Sequence, residues 1–289
     1  MNEFVILTDS GCDLTAKLAE ELELVVLPLS VTVNGTEYHN YLDEREISHK
    51  DFYALLREGN TGKTSAINLD TFKEAMEAIL KEGKDVLYLG FSSGLSGTYQ
   101  VGALAAEELA EKYPDRKILH ADTLSASLGQ GLLLWHAVMQ KRAGKTIEEV
   151  RDYVLEIRLK LAHWFTVDDL NHLKRGGRVS ATTAMVGTLL SIKPVLHVDD
   201  EGHLINMEKA RGRKASIQRL AQKVLDDMLE MDQPIFISHG DCLEEAEQLA
   251  DYLRGKEHIG EIEIGYVGPV IGAHTGAGVL AIFYLGKKR

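Results

Sequence analysis

Short apolar runs alternate along this chain with longer segments of helical periodicity, and this alternation constrains the fold more than any other feature. Runs of this kind are typical of buried strands, and helical segments between them are typical of crossover connections. The pattern therefore predicts an α/β fold. The predicted strands are Phe4–Leu7, Val25–Val33, Val86–Leu89, Lys117–His120, Ile235–Ser238 and Glu261–Val267. The predicted helices include Asp70–Lys81, Leu104–Lys112 and Ile147–Leu161.

The length and the change in composition along the chain predict two domains. A chain of 289 residues corresponds to about two domains of roughly 150 residues each. After about residue 160 come a basic, glycine-containing segment and a hairpin-like segment, Leu196–Leu204. We therefore expect an N-terminal α/β domain over residues 1–160 and a C-terminal α/β domain over residues 161–289. With no flexible linker between them, a cleft between the two is the natural ligand site.

Composition excludes several classes of protein. The 32 Lys and Arg against 44 Asp and Glu give a net charge of −12, which repels phosphate backbones and anionic membrane surfaces, so we expect no nucleic acid partner. The 45% apolar and 26% charged residues are ordinary globular values. The longest strongly apolar stretch, Gly276–Gly286, is too short to span a bilayer, and Met1–Glu3 lacks the basic start of a signal peptide. We expect no membrane segment and no export signal.

The sequence gives little support for a metal-binding or nucleotide-binding site. Cys12 and Cys242 lie far apart, without the spacing of a zinc site or a disulfide framework, which favours the reducing cytoplasm. The 11 histidines show no H-E-x-x-H spacing, and no G-x-G-x-x-G follows the first predicted strand. Gly62–Ser65 has the end of a P-loop, but Arg57 stands where that motif needs its first glycine. We expect neither a metal nor a cofactor.

Three segments rich in hydroxyl groups are candidate binding segments. Thr8–Ser10 follows the first predicted strand, where strand ends face the ligand crevice, although a cap on the next helix is the alternative. Ser92–Thr98 combines hydroxyls, glycines and a helix N-terminus, which suits a phosphate or a carboxylate, and a flexible helix cap is the alternative. Thr64 and Ser65 precede the helix predicted near Asp70, where a solvated loop is the alternative.

Two further segments contribute cations and a histidine. Lys174–Arg178 is a basic loop in an acidic protein and favours an anionic ligand or partner, the alternative being a solvated loop paired with surface carboxylates. Gly268–Gly278 places His274 among glycines, where it could donate to an anion or relay a proton, or simply bond a backbone carbonyl. Without an obvious acid/base pair, these groups suit holding an anion better than transforming one.

Taken together, these segments resemble the DegV family of bacterial fatty-acid-binding proteins, and the similarity runs essentially from end to end. One departure is that Ala66-Ile67 stand where the family commonly has Gln-Pro after Thr64-Ser65. The segments that carry the resemblance are Thr8–Ser10, Pro28–Val31, Thr64–Ser65, Ser92–Gln100, Asp122–Thr123, Ser127–Gly131, Leu173–Ser180, Leu189–Asp199 and Gly268–Gly278.

The resemblance implies a two-domain fold with a long acyl chain in a tunnel between the domains. Thr64 and Ser96 are then the direct donors to the carboxylate of the ligand, with Ser93, Ser65 and His274 in the next layer. Spacing alone leaves the choice between Ser93 and Ser96 open. Arg178, Arg175 and Lys174 are assigned to a network near the head group or to a partner contact. Apolar residues in Ala181–Val198 are candidates for the tunnel wall, with plain core as the alternative.

The resemblance also implies a role without catalysis of its own. Members of the family are similar to the subunit that presents a fatty acid to a separate ATP-dependent fatty acid kinase, which phosphorylates the acid to an acyl phosphate. The absence of a P-loop agrees with that division of labour. The alternatives are a stand-alone hydrolase or small-molecule kinase that uses Ser96 with His274, and a lipid-responsive regulator.

Overall fold

The computed structural model describes residues 3–180, 192–230, 232–257 and 259–289, and these residues form an α/β fold, as the sequence predicts. The strands are β1 Phe4–Asp9, β2 Val25–Leu27, β3 Ser30–Val33, β4 Thr36–His39, β5 Gly62–Ser65, β6 Asp85–Gly90, β7 Ile118–Asp122, β8 Leu161–Thr166, β9 Ile192–Val198, β10 Leu204–Arg211, β11 Ile235–His239, β12 Ile262–Tyr266 and β13 Leu280–Leu285. The helices are α1 Ala16–Glu21, α2 His49–Arg57, α3 Leu69–Lys81, α4 Thr98–Lys112, α5 Leu128–Arg142, α6 Ile147–Ile157, α7 Leu170–Arg175, α8 Arg213–Asp227, α9 Leu243–Arg254 and α10 Pro269–Thr275.

The strands form three sheets. A parallel sheet has the order β2-β1-β6-β7, and a small antiparallel sheet has the order β4-β3-β5. A mixed sheet of six strands has the order β10-β9-β8-β13-β11-β12. All strands of the mixed sheet follow residue 160 and those of the other two precede it. The division into domains at that position stays a prediction.

Three predicted elements were wrong in extent. The helix predicted over Leu104–Lys112 begins six residues earlier, at Thr98. Val25–Val33 is not one strand, because Pro28 lacks the N–H that a central strand donates, and the chain changes sheet there between β2 and β3. The helix predicted over Ile147–Leu161 ends at Ile157, and Leu161 begins β8. Apolar residues recur across the junction at Ile157, Leu159 and Leu161, and no glycine or proline stands between them to mark the boundary.

Three segments expected to be loops have regular structure. Lys174 and Arg175 of the basic segment lie in the last turn of helix α7, where the helix dipole favours cations, and the Asp169 side chain caps the start of this helix. Gly176, Gly177 and Arg178 follow the helix in a turn and a bend, as a loop prediction implies. The glycine-rich segment with His274 is mostly helix α10, with Pro269 in its first turn and Gly276 after its end at φ 78°. Gly62–Ser65 is strand β5, paired with β3.

Helix α5 joins the two large sheets. Its buried residues include Leu132 and Leu133, and it contacts strands β8, β11 and β13 of the mixed sheet. The same hydrophobic cluster contains Ile6 of the parallel sheet and Phe283 of the mixed sheet. The two sheets therefore share one hydrophobic core around α5. Each fully buried apolar side chain in this core stabilises the fold by about 1.5–3 kcal/mol.

A buried polar network links the first strand to this helix. Asp9 accepts hydrogen bonds from the backbone N–H groups of Gly11 and Phe91 at 3.0 and 2.9 Å, and burial raises its pKa to about 6. Asp13 accepts a hydrogen bond of 2.6 Å from the Ser127 hydroxyl, and burial raises its pKa to about 8. Both carboxyl groups are therefore sensitive to pH in a range where exposed aspartates are fully ionised.

We predict that Asp13→Asn changes how stability depends on pH. The folded protein keeps the Asp13 proton up to about pH 8, whereas an unfolded chain releases it near the ordinary value of 3.8. Between these values the folded state binds more protons, so stability from this group falls as pH rises. The free energy of unfolding of Asp13→Asn, relative to wild type, should therefore increase between about pH 5 and pH 8.

Denaturant titrations across that range measure the effect, with the exposed Asp115→Asn as the control. Parallel pH profiles for Asp13→Asn and the wild type would contradict the assignment.

Candidate functional site

A cavity of about 260 Å³ opens between the two large sheets. It lies beside the carboxyl ends of β1 and β6, where the strand order of the parallel sheet reverses and ligands of open α/β sheets commonly bind. Its walls come from both halves of the chain and are mostly apolar. They include Leu29, Ala66, Phe91, Leu95, Phe165, Leu173, Val198, Leu204, Val267, Val270, Ile271, Val279, Ala281 and Phe283, with the polar residues Thr64, Ser65, Ser96, Ser127, His163, Arg178, Ser238, His274 and Thr275.

The contact between Thr64 and His274 closes one part of this cavity. Thr64 Oγ1 lies 2.8 Å from His274 Nε2, although 210 residues separate the two in sequence. Gly62 lies on the same face of β5 as Thr64, and a Cβ atom there would lie only 2.6 Å from the Ala273 Cβ. The missing side chain at Gly62 therefore lets β5 approach α10 closely enough for the hydrogen bond to form.

His274 is held as a neutral imidazole. Burial and, secondarily, the positive charge of Arg178 lower its pKa to about 4. Its Nδ1 lies against Gly176, where a Cβ atom would overlap it, and Nδ1 has no hydrogen-bond partner within the described part of the chain. A neutral, buried imidazole orients the Thr64 hydroxyl without adding a full charge to the site.

Ser96 lies at the start of helix α4. Its Oγ accepts a hydrogen bond from the Thr98 N–H at 3.2 Å and lies 2.9 Å from Thr98 Oγ1. Gly97 occupies the N-cap position without a side-chain cap, and the first turn has no acidic residue. The positive end of the helix dipole thus faces the cavity beside a hydroxyl, which favours an anion there.

Arg178 ties the two halves together at the same place. Its Nε donates to the Leu95 carbonyl at 3.1 Å and its Nη1 donates to the Gly176 carbonyl. Burial lowers its pKa, yet Arg178 forms no salt bridge with any residue that the structure describes. A half-buried cation without a carboxylate partner is suited to an anionic ligand.

A second, polar depression of about 360 Å³ adjoins the cavity at Thr64, Arg178 and His274, and we call it the vestibule. Lys63, His172 and Arg175 also line it. Arg175 Nη2 lies 3.0 Å from His172 Nδ1. The vestibule is therefore cationic where the cavity is apolar.

The structure brings together most of the residues that the sequence singled out. Thr64, Ser65, Ser96, His274 and Arg178 all line the cavity, and Arg175 lines the vestibule.

Two of the predicted site residues, Ser93 and Lys174, line neither the cavity nor the vestibule. Ser93 is not among the described lining residues, and its N–H donates to Asp122 at 3.3 Å. Lys174 is exposed and lines neither space. Of the predicted wall 181–198, residues 181–191 lie outside the described residues, while Val198 lines the cavity.

Thr8–Ser10 has a structural role. The Thr8 hydroxyl donates to the Leu89 carbonyl at 2.7 Å, and the Asp9 side chain caps the short 3-10 turn that follows. Ser10 Oγ accepts from the Leu29 N–H at 3.0 Å. The structure therefore agrees with the alternative interpretation of this segment, a cap at the start of the following turn.

Sequence reasoning missed Ser127, Ser238 and His163 as cavity residues. Ser238 stands near the carboxyl end of β11, so the rule that drew attention to Thr8–Ser10 could have found it. Ser127 lies in a segment quoted for the family resemblance, but no spacing rule gave it a role.

The pair required for a stand-alone enzyme is not assembled. His274 Nε2 forms a hydrogen bond with Thr64, whereas the Ser96 hydroxyl pairs with Thr98. No group of three or more metal-ligating side chains that could hold a metal ion occurs among the residues described. Within the same residues, no helix is both long and apolar enough to cross a bilayer.

Comparison with known proteins agrees with this geometry. A sequence profile described as "Uncharacterised protein, DegV family" matches residues 3–287. The chain belongs to the DegV family. A DegV domain-containing protein of Clostridium perfringens is 49% identical over 290 aligned residues, covering 100% of this chain and 99% of the relative.

Two solved structures are similar over nearly the whole chain. A DegV lipid-binding protein from Thermotoga maritima has a TM-score of 0.87 at 30% identity, covering 99% of both chains. A DegV family protein from Thermus thermophilus, described as fatty-acid binding, has a TM-score of 0.87 at 29% identity, covering 98% of this chain and 99% of that one. The α/β architecture derived above is thus the DegV fold.

We predict that Gly176→Ala displaces the His274 ring. Gly176 ends α7 at φ −71°, a conformation open to alanine, so the added Cβ acts only by its overlap with His274 Nδ1. Nitrogen-15 NMR of the imidazoles should show a shifted His274 signal and a weakened bond to Thr64. Gly255→Ala is the matched control, because Gly255 ends α9 at φ −70° with only ordinary contacts nearby. An unshifted His274 signal in Gly176→Ala would contradict the packing.

Proposed function

We propose that this protein binds a long-chain fatty acid and presents its carboxylate for phosphorylation by a separate ATP-dependent kinase subunit. One observation carries the proposal: an apolar cavity meets a cluster of two hydroxyls, a neutral histidine and an arginine without a carboxylate partner among the described residues. The fatty-acid-binding and lipid-binding descriptions of the Thermus and Thermotoga proteins support the ligand class.

The acyl chain supplies most of the affinity in this proposal. Burial of about 14 methylene groups at about 0.8 kcal/mol each contributes roughly 11 kcal/mol before the entropic cost of binding. The wall residues that would contact the chain come from four separate parts of the fold, represented by Phe91, Phe165, Val270 and Phe283.

The head-group cluster then fixes the carboxylate in position. We assign the His274 proton to Nε2, because Nδ1 has no hydrogen-bond partner among the described residues, whereas Nε2 lies 2.8 Å from Thr64 Oγ1. Nε2–H donates to Thr64 Oγ1, and the Thr64 hydroxyl hydrogen is left free to donate to a carboxylate oxygen. Ser96 provides the second hydroxyl. Neutral donors hold the carboxylate without neutralising it, so it stays a competent nucleophile toward a phosphoryl group.

The vestibule suits the proposed encounter with the kinase subunit. Lys63, Arg175 and Arg178 surround the position where the carboxylate would emerge from the cavity. Phosphates approaching that position would meet positive charge in a chain whose net charge is −12.

Extraction of the purified protein with denaturing organic solvent, followed by mass spectrometry, tests the ligand. We expect a fatty acid in about one-to-one ratio with the protein. An empty extract, together with no rise in melting temperature on adding long-chain acids, would overturn the proposal.

We predict that Thr64→Val affects phosphorylation more than binding. Valine keeps the shape of threonine but removes the hydroxyl that orients the carboxylate, while the cavity that holds the chain is unchanged. Acyl phosphate formation should fall by about tenfold or more, with fatty acid affinity reduced by about threefold or less. Thr64→Ser, which keeps the hydroxyl, is the control. Equal losses of binding and phosphorylation in Thr64→Val would contradict this division of roles.

We predict that Arg175→Glu impairs phosphoryl transfer without weakening fatty acid binding. Arg175 lines the vestibule and not the cavity, so charge reversal there opposes the approach of phosphates or of the kinase surface. Lys174→Glu is the matched control, because it makes the same charge reversal at the neighbouring residue, which does not line the vestibule. Acyl phosphate formation at several kinase concentrations measures both variants, and an unchanged rate in Arg175→Glu would count against the vestibule.

A further inference from the structure

The cavity wall has a second polar pair that the proposed head-group cluster does not include. Ser127 Oγ and Ser238 Oγ lie 3.0 Å apart, and both residues line the cavity. They come from different elements, the N-cap of α5 and strand β11, and are only 5% and 0% exposed. In the mixed sheet Ser238 lies in one row with the apolar residues Ala281 and Phe165, which also line the cavity, so its hydroxyl differs chemically from the rest of that row.

The register of the mixed sheet places this pair part-way along the cavity. Ser238 pairs with Ala281 of β13, and Ala281 pairs with Phe165 of β8. Val279 lies two residues before Ala281 in sequence, on the side of His274, and Phe283 lies two residues after Ala281. Since every second residue of a strand advances by about 7 Å, the pair lies between Val279 and Phe283 along this part of the wall, and both of those residues also line the cavity.

The hydrogen bonds of the pair leave Ser238 with spare capacity. The Ser127 hydroxyl donates its only hydrogen to Asp13 Oδ2 at 2.6 Å. With that hydrogen directed to Asp13, we assign Ser238 as the donor in the hydrogen bond of 3.0 Å between the two serines. No described residue donates to Ser238 Oγ, so its lone pairs are available to a group inside the cavity.

The backbone fixes the pair in place. Ser127 adopts φ 55° and ψ −149°, a sparsely populated conformation for a residue with a side chain, and its N–H donates to the Gly11 carbonyl at 2.8 Å. Surrounding contacts therefore hold the Ser127 hydroxyl against Asp13 and Ser238. A plain methylene chain packed against this pair would leave Ser238 without a donor, which disfavours such a ligand.

We propose that Ser238, positioned by Ser127 and Asp13, is a second polar subsite that accepts a hydrogen bond from a hydroxyl on the acyl chain. The favoured ligand is then a long-chain acid that carries a hydroxyl group part-way along its chain. This inference rests on the proposed binding of fatty acids and specifies the chemical class of the ligand.

Competition binding on delipidated full-length protein tests the subsite. A fluorescent fatty acid is bound first and then displaced by stearic acid or by each member of a positional series of monohydroxystearic acids. Each displacement curve gives the Kd of the competing acid. We expect one hydroxyl position to bind best relative to stearic acid. Ser238→Ala should reduce that preference by about fivefold to tenfold, while the Kd of stearic acid itself stays the same or tightens.

Ser216→Ala is the matched control, because Ser216 is a buried serine of α8 whose hydroxyl donates to the Arg213 carbonyl outside the cavity. It should keep the wild-type preference. Should Ser238→Ala fail to fold, Ser238→Cys, which keeps the volume and accepts only weakly, is measured in its place.

The outcomes separate the two proposals. If stearic acid binds but no hydroxyl position is preferred, or if the preference survives in the Ser238 variant, the subsite is wrong and fatty acid binding stands. If neither stearic acid nor any hydroxystearic acid binds, the proposed function fails and the subsite fails with it.

Discussion

Burial of helix α5 between the two large sheets is the constraint on which the rest of the structure depends. Its buried residues include three consecutive leucines, Leu132–Leu134, which point to different sides of the helix. A helix buried on several sides needs partners on several sides, and here the mixed sheet, helix α6 and the 3-10 turn after β1 supply them. The cavity reaches the N-terminus of this helix, where Ala126 and Ser127 line it.

The chemistry of the cavity follows from which polar groups are neutral. His274 is neutral because burial lowers its pKa to about 4, and its partner is a hydroxyl and not a carboxylate. Arg178 supplies positive charge without a carboxylate partner among the described residues. In our proposal an anionic head group completes this arrangement, and the cationic vestibule next to it serves the phosphoryl donor. In the same cluster the Ser96 hydroxyl pairs with Thr98 and His274 pairs with Thr64, so the described contacts do not place His274 as a base for Ser96.

Much of the fold could be predicted, because periodicity reports local structure directly. The predicted strands Phe4–Leu7, Val86–Leu89 and Ile235–Ser238 lie within β1, β6 and β11. The predictions were wrong where the local sequence pattern and the tertiary packing favour different structures. The strand predicted over Val25–Val33 changes sheet at Pro28, and the segment with His274 is helical because it packs against α2 and β5 despite its glycines. Glycine lowers helix propensity by only about 1 kcal/mol relative to alanine, which packing readily offsets.

The sequence by itself determined the alternation of strands and helices, the chemical types of the site residues and, through its motifs, the resemblance to the DegV family. Only the tertiary structure decided which of these groups meet. It placed Thr64 against His274 and Ser96 on the cavity wall, and it left Ser93 and Lys174 off the walls of both the cavity and the vestibule. It also joined Ser127 to Asp13 and Ser238, which lie 114 and 111 residues away. Contacts between such distant residues depend on how the two sheets pack around α5, and periodicity and spacing contain no information about that packing.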